Sequence, residues 1–224
     1  MELSLLELWQ STGSLARGVV VLLGGMSVAA GAVATDKWLR LRRAERESDA
    51  FLAAWRRGAR DDGATHELAE RFPESPVAAL VKAVGDAAIR TTDPHRGEMH
   101  DRIVRRFVLT TASDLRHGLS TIATVSSTAP FVGLFGTVIG IVNAFHEIGA
   151  TGRSGIATVS SGIAEALVTT AFGIMVAIPA VWLFNTLSQR ITRLVVVIEA
   201  AGEELAVGEL AGTASGPERS SPWR

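Results

Sequence analysis

Glu165 is an acidic residue inside an apolar segment, residues 156–187, that is long enough to cross a membrane. A charged side chain near the middle of a bilayer costs about 2.5–3.5 kcal/mol on insertion scales, and such residues usually face a bundle interior or a polar pathway. No lysine or arginine lies within the same segment. Glu165 therefore indicates a proton or ion route, or an interaction with a partner chain.

Three interpretations of Glu165 stay open at this point. It can be protonated, hydrogen-bonded and purely structural, since buried carboxyl groups also hold helices together. It can pair with a cation on another subunit. It can also take part in proton transfer, because apolar surroundings disfavour the charged form of a carboxyl group.

Three threonines could place hydroxyl groups near this carboxyl group: Thr137 in the preceding apolar segment, and Thr169 and Thr170 in the same one. A short connector makes the two segments antiparallel neighbours. At 1.5 Å per residue, Thr137 lies about 15–17 Å from the outer end of its helix and Glu165 about 14 Å. The spacing predicts a polar seam of these threonines beside Glu165. The alternative is that each hydroxyl donates to a carbonyl of its own helix.

Small residues recur at helical spacing in both segments and predict faces on which helix backbones approach closely. Plain helix packing accounts for most of them, and packing at the face of a pore is the functional interpretation. Two prolines within the segments, Pro130 and Pro179, predict helix kinks, since each removes a backbone donor. The small residues of this pattern are Gly133, Gly136, Gly140, Gly162, Ala166, Gly173 and Ala177.

Three apolar segments, residues 15–34, 118–148 and 156–187, each supply the roughly 20 residues that a spanning helix needs. Lysine and arginine cluster after the first segment, before the second and after the third, whereas the opposite ends carry only Arg17 and Arg153. The positive-inside rule then predicts a periplasmic N-terminus and a cytoplasmic C-terminus.

The predicted fold class is an all-α integral membrane protein, with three transmembrane helices and long cytoplasmic helical extensions. Residues 35–117 read as a cytoplasmic helical region, in which Ser75-Pro76 begins a helix. Few helix breakers lie between residues 97 and 148, so one continuous helix is expected there. The remaining boundaries are an extracytoplasmic N-terminus at 1–14, a periplasmic loop at 149–155, a cytoplasmic helix at 188–210 and a disordered tail at 211–224.

The composition excludes several other functions for these 224 residues. The formal net charge of −1 gives no reason to expect nucleic acid as a partner. The absence of cysteine excludes disulfides, thiol catalysis and cysteine-ligated metals. The histidines show no metal-ligand spacing, and no nucleophile–base set or phosphate loop is present, so neither an enzyme nor a cofactor or metal is expected.

Two long motifs in the apolar segments closely resemble the MotA/TolQ/ExbB proton channel family. The first motif is residues 127–141, Ser-Thr-Ala-Pro-Phe-Val-Gly-Leu-Phe-Gly-Thr-Val-Ile-Gly-Ile. The second is residues 162–173, Gly-Ile-Ala-Glu-Ala-Leu-Val-Thr-Thr-Ala-Phe-Gly, followed by Ala-Ile-Pro-Ala-Val at 177–181. The resemblance covers residues 118–187. It departs from the family at Ser160-Ser161, where Ala-Pro is frequent.

The resemblance implies a stator subunit of the bacterial inner membrane. Five copies would surround a dimer of single-span ExbD/TolR/MotB-type partners, whose transmembrane Asp relays protons. By motif position, the pore threonines fall on Thr137 and Thr170, the glutamate of the third span on Glu165, and the span prolines on Pro130 and Pro179. The process driven stays open between energised uptake, Tol function and motility, as does proton against sodium.

Two other functions compete with the proton-channel interpretation. A passive membrane scaffold would only assemble and stabilise partner proteins, with Glu165 as a structural residue. A solute transporter is the third option, although three spans without an inverted repeat are few for one.

Overall fold

The computed structural model describes residues 14–58, 62–90, 96–151 and 156–214. Within them the regular structure is helical, in the order α1 Ser14–Gly58, α2 Asp62–Glu70, α3 Pro76–Arg90, α4 Arg96–Arg116, α5 Leu119–Thr151 and α6 Ile156–Ala214. The predicted all-helical fold is confirmed. The predicted N-terminus and most of the predicted tail, at 1–13 and 215–224, lie outside the described residues.

Three helices are long and apolar enough to cross a membrane, judged by length and composition over the described residues. Their apolar stretches are Ala16–Arg57 in α1, Leu119–His146 in α5 and Gly162–Ala206 in α6. The expected three spans are thus present, and the chain is a multi-pass membrane protein. Pro130 and Pro179 lie inside α5 and α6, and both helices continue past them.

The chain divides into two compact units. The first contains residues up to 37 together with 118–188, which include the apolar parts of α1, α5 and α6. The second contains residues 38–117 and 189–224. The residues with candidate chemistry all fall in the first unit.

Aromatic and aliphatic side chains form the interior of the second unit. Phe51 is fully buried, with its ring stacked on Trp55 at 6.4 Å and edge-on to Phe72 at 6.1 Å between ring centroids. The hydroxyl of Ser75 accepts a hydrogen bond from the backbone N–H of Ala78 at 3.1 Å, which caps α3 as the Ser75-Pro76 pattern predicts.

Arg190 ties α6 to α1 inside this second unit. Its guanidinium lies 4.1 Å from the centre of the Trp38 ring and 3.7 Å from a carboxylate oxygen of Glu45. Cation–π contacts and partly buried ion pairs of this kind hold a flexible arginine in one orientation. Further along, Arg56 and Glu204 form a second ion pair between the same two helices, at 3.0 Å.

The expectation of one continuous helix from residue 97 to 148 is wrong. α4 ends at Arg116 and α5 begins at Leu119, with Gly118 between them at a φ of 82°. The N–H of His117 still donates to Ser113 O at 3.0 Å, while the N–H of Thr121 donates to Gly118 O at 3.1 Å. A left-handed glycine commonly ends a helix in this way.

Two helix ends also differ from the sequence-based boundaries. α5 extends to Thr151, which shortens the predicted connector at 149–155. α6 continues to Ala214, so the first residues of the predicted disordered tail are helical.

Replacing Gly118 with alanine should destabilise the protein by about 1–2 kcal/mol, because an L-residue pays this cost in the left-handed region. The midpoint of thermal unfolding in detergent micelles measures the effect. Gly97→Ala is the matched control, since a Cβ there meets no atom within 4 Å and lies in helix α4. Equal midpoints for the two variants would contradict the assignment of the break to Gly118.

Candidate functional site

The glycines and alanines of the two motifs bring α5 and α6 into contact. An ideal Cβ at Gly140 would lie 2.7 Å from the Cβ of Ala166, and one at Gly162 would lie 2.6 Å from the Cβ of Ala144. These pairs run in opposite directions along the two helices, so α5 and α6 are antiparallel, as predicted. Ala166 and Ala177 are buried in the same unit.

The closest approach of the two backbones is at Gly133 and Gly173. A Cβ at Gly133 would lie 2.8 Å from Thr169 O and 3.1 Å from the Cα of Gly173. A Cβ at Gly173 would lie 2.7 Å from Ala129 O. Since backbone atoms occupy the space of the missing methyl groups, only glycine fits at these two positions without moving a helix.

Helix α1 packs on one side of this helix pair. A Cβ at Gly136 would approach Val19 Cγ1 to 3.1 Å, and it would also meet Thr169. Val19 and Leu23 form a buried cluster with Ala129 and Ala177, against which partly buried residues of all three helices pack. These partly buried residues are Met26, Val132, Phe172 and Val176.

Two of the three predicted threonines bond to backbone carbonyls. The hydroxyl of Thr169 is buried and donates to Ala166 O at 2.7 Å and across the helix contact to Gly133 O at 3.1 Å. The hydroxyl of Thr137 donates to Leu134 O of its own helix at 2.6 Å. Thr169 therefore holds α5 and α6 together, and Thr137 follows the alternative in which a threonine bonds back to its helix.

Thr170 differs from both. Its Oγ1 atom is buried, and it makes no hydrogen bond within the part of the chain that the structure describes. An unsatisfied buried hydroxyl costs about 1–3 kcal/mol, so native proteins seldom keep one without a use. Thr170 is thus the strongest candidate for a contact with something beyond this chain.

Thr137 and Thr170 lie on the same flank of the α5–α6 pair, which we call the threonine flank. Thr137 follows Gly133 by one turn, and a Cβ at Gly133 would lie 3.0 Å from the Cα of Thr170. The residues that face α1, such as Val132 on α5 and Phe172 on α6, lie on the other side of the glycine contacts. The threonine flank therefore faces away from α1.

Glu165 lies on the α1 side instead. It is half-buried and precedes Phe172 by seven residues, which places both on one face of α6. Thr170 is five residues further on than Glu165, or about 140° around the helix. The predicted seam of three threonines beside Glu165 is therefore wrong as a single surface, because Glu165 and Thr170 occupy different faces.

The predicted depth of Thr137 and Glu165 holds to within a helical turn. Gly136 meets Thr169 and Gly140 meets Ala166 across the contact. Thr137 consequently lies about one turn, roughly 5 Å, from the level of Glu165.

Among the described residues, no group of three His, Cys, Asp or Glu side chains could hold a metal ion.

Comparisons with known proteins bear on this arrangement. The profile of the MotA/TolQ/ExbB proton channel family matches residues 69–200. The biopolymer transport protein ExbB of Xanthomonas campestris pv. campestris is 49% identical over 94 residues, which cover 42% of this chain and 37% of that protein. The chain thus matches little more than a third of that relative's length.

Two further relatives extend the comparison. The ExbB protein of Neisseria meningitidis serogroup B is 32% identical over 202 residues, which cover 85% of this chain and 90% of that protein. The Tol-Pal system protein TolQ of Pseudomonas aeruginosa is 51% identical over 76 residues, or 34% of this chain and 33% of that protein. The family profile matches more than half of this chain, and the Neisseria meningitidis relative aligns over most of both proteins. The chain therefore belongs to the MotA/TolQ/ExbB proton channel family.

Proposed function

We propose that this chain is a proton-channel stator subunit of the bacterial inner membrane. Together with a single-span ExbD/TolR-type partner that carries a transmembrane Asp, it converts the proton-motive force into mechanical work. One charge crossing the membrane releases about 2.3 kcal/mol per 100 mV, which is the energy available for moving the partner. The role is non-enzymatic.

The buried hydroxyl of Thr170 is the observation that carries this proposal. It makes no hydrogen bond within the described residues, and it lies beside Thr137 on the threonine flank. A hydroxyl that can donate and accept in apolar surroundings suits a partner carboxyl group that gains and loses a proton. In a homopentamer, the threonine flanks of the subunits would line the central pore around the partner helices.

Glu165 contributes from the opposite side of α6. It lies about 140° around the helix from Thr170, so it acts on the pore through the electrostatic field or through an adjoining subunit rather than from the threonine flank itself. Low-dielectric surroundings make such a field effective over several ångströms.

The proposed topology places the N-terminus in the periplasm and the C-terminus in the cytoplasm. The arginine and lysine clusters around residues 37–46 and 102–116 then lie in the cytoplasm, as the positive-inside rule requires. The second unit, which contains these clusters apart from Lys37, is the cytoplasmic part of the subunit.

The proposal covers the energy-transducing step that the relatives share rather than one process. Relatives named for biopolymer transport and for the Tol-Pal system match this chain at similar identity, 49% and 51%. We prefer the proton-channel interpretation over a passive scaffold because the profile that matches residues 69–200 is that of a proton channel family.

Replacing Thr170 with valine tests this proposal in cells. Valine keeps the shape of threonine and removes only the hydroxyl, so folding should be unaffected while function driven by the proton-motive force falls several-fold. Complementation of a strain that lacks the gene measures function, and an immunoblot of the membrane fraction measures the amount of protein.

Thr186→Val is the matched control in the same helix, since the Thr186 hydroxyl donates to Trp182 O of α6 at 2.8 Å. It should leave function at the wild-type level. If Thr170→Val complements as well as Thr186→Val does, the Thr170 hydroxyl has no role between chains and the scaffold alternative gains.

A further inference from the structure

Arg17 lies near the N-terminal end of α1, within the first apolar helix. The residue is half-buried and its Nε atom is buried. A cationic side chain inside a spanning helix is costly and generally pairs with an acidic group or a carbonyl. The position of Arg17 relative to α6 identifies the acidic group.

Helices α1 and α6 run parallel to each other. Along α1, Val19 lies at the level of Gly136, and further along, Val33 lies 3.6 Å from the Cβ position of Gly118. α1 is therefore antiparallel to α5. Since α5 is antiparallel to α6, α1 and α6 share one direction.

The levels of Arg17 and Glu165 follow from these contacts. Val19 and Thr169 both meet the Cβ position of Gly136, so they lie at one level. Arg17 is two residues before Val19, and Glu165 is four residues before Thr169. At 1.5 Å per residue the two Cα atoms differ in level by about 3 Å, which an arginine side chain easily spans.

Both residues also lie on matching faces. Glu165 shares its face of α6 with Phe172 and Val176, which pack against the cluster containing Val19 and Leu23 of α1. On α1, a groove of about 500 Å³ toward α5 is lined by Gly18 and Leu22, and Arg17 is not part of its lining. The burial of Arg17 therefore comes from the other side of α1, where α6 lies.

We infer that Arg17 and Glu165 of one chain form an ion pair between α1 and α6, inside the membrane. Arg17 is then a positioning residue, which holds the carboxylate on the α1 side of α6 and away from the threonine flank. The pair supplies within the subunit the cation that the third span lacks. It is a property of the fold and does not depend on proton conduction.

Cysteine cross-linking tests the proximity, because the chain contains no cysteine of its own. The variant Arg17→Cys/Glu165→Cys is treated in membranes with a short bifunctional methanethiosulfonate. We expect a product at the monomer mass whose digest contains the two linked peptides. The control is Arg17→Cys/Thr170→Cys, since Thr170 lies on the other flank. A product at dimer mass, or one no more abundant than the control's, overturns the inference.

Charge replacement tests the pairing itself. Arg17→Gln and Glu165→Gln should each lower the amount of complex in the membrane several-fold, because each leaves one buried charge without its counterpart. The double variant Arg17→Gln/Glu165→Gln should regain most of the wild-type amount, and Arg17→Lys should keep it. Losses that multiply in the double variant would overturn the pairing.

A failed proton-channel proposal gives a different pattern from a failed ion pair. If the complex does not conduct but the cross-link forms and the double variant is restored, the ion pair stands alone. If the cross-link and the restoration both fail while Thr170→Val still loses function, only the ion pair is wrong.

Discussion

Replacing Glu165 with glutamine should abolish function driven by the proton-motive force in cells, with a loss of at least about tenfold, or 1.4 kcal/mol. Glutamine keeps the size of the side chain but can neither carry a negative charge nor release a proton. Because Glu165 is the acidic residue of the third span, its loss removes both the local field and any proton exchange. Complementation of a strain lacking the gene measures the effect.

A loss of function in Glu165→Gln could also come from poor assembly, since Arg17 would be left with an uncompensated charge. The double variant Arg17→Gln/Glu165→Gln separates the two causes. It should restore the amount of complex seen by native mass spectrometry without restoring function. A double variant that assembles and complements fully would mean that Glu165 acts only as a structural residue, as the scaffold alternative holds.

Replacing Gly133 with alanine should prevent the accumulation of folded complex in the membrane. The added methyl group would lie 2.8 Å from Thr169 O and 3.0 Å from the Cα of Thr170. These are backbone atoms of α6, so relief requires a shift of the whole helix, and overpacking of this kind costs about 1–3 kcal/mol or more. Such a shift would also break the hydrogen bond from Thr169 to Gly133 O.

The amount of detergent-solubilised complex on a native gel measures this effect, and Gly173→Ala should behave alike because Ala129 O occupies the equivalent space. Gly24→Ala is the matched control in α1, because a Cβ at Gly24 would have no other atom of the chain within 4 Å. If Gly133→Ala accumulates as well as Gly24→Ala does, the close contact of α5 and α6 is not what holds the first unit together.

Features that depend on composition and spacing along one segment could be predicted from the sequence. Three apolar stretches of sufficient length fix three spanning helices, and small residues one or two turns apart fix the α5–α6 contact. Ser75 before Pro76 is a local capping signal, and the structure places the Ser75 hydroxyl on the Ala78 N–H. Each of these depends on neighbours in the sequence.

The local sequence around Gly118 does not distinguish a helix end from a helix interior. Glycine occurs inside helices as well as at their ends, and neither neighbour of Gly118 is a proline. The left-handed φ of 82° at Gly118 is visible only in the structure, because glycine adopts positive and negative φ about equally readily. The signal that was available is the tripeptide of a basic residue, a histidine and a glycine at 116–118, which suits a helix C-terminus.

The assignment of Glu165 and of the threonine flank to opposite sides of the α5–α6 pair depends on the position of α1. Helical angles alone separate Glu165 from Thr170, but they do not say which face meets α1 and which faces away from it. In the sequence, Arg17 is only a charge near the start of the first span. Its level relative to Glu165 depends on the contact between Val19 and Gly136, residues more than 100 positions apart in the chain.

Proton flux into liposomes tests the central claim most directly. Complexes of this chain with its single-span partner are reconstituted, a membrane potential is imposed, and acidification of the lumen is followed with a pH-sensitive dye. We predict flux for the wild-type complex and for Thr186→Val, and a loss of flux for Glu165→Gln and Thr170→Val at equal amounts of assembled complex. Wild-type flux that persists unchanged in both of those variants would contradict the proposed proton route.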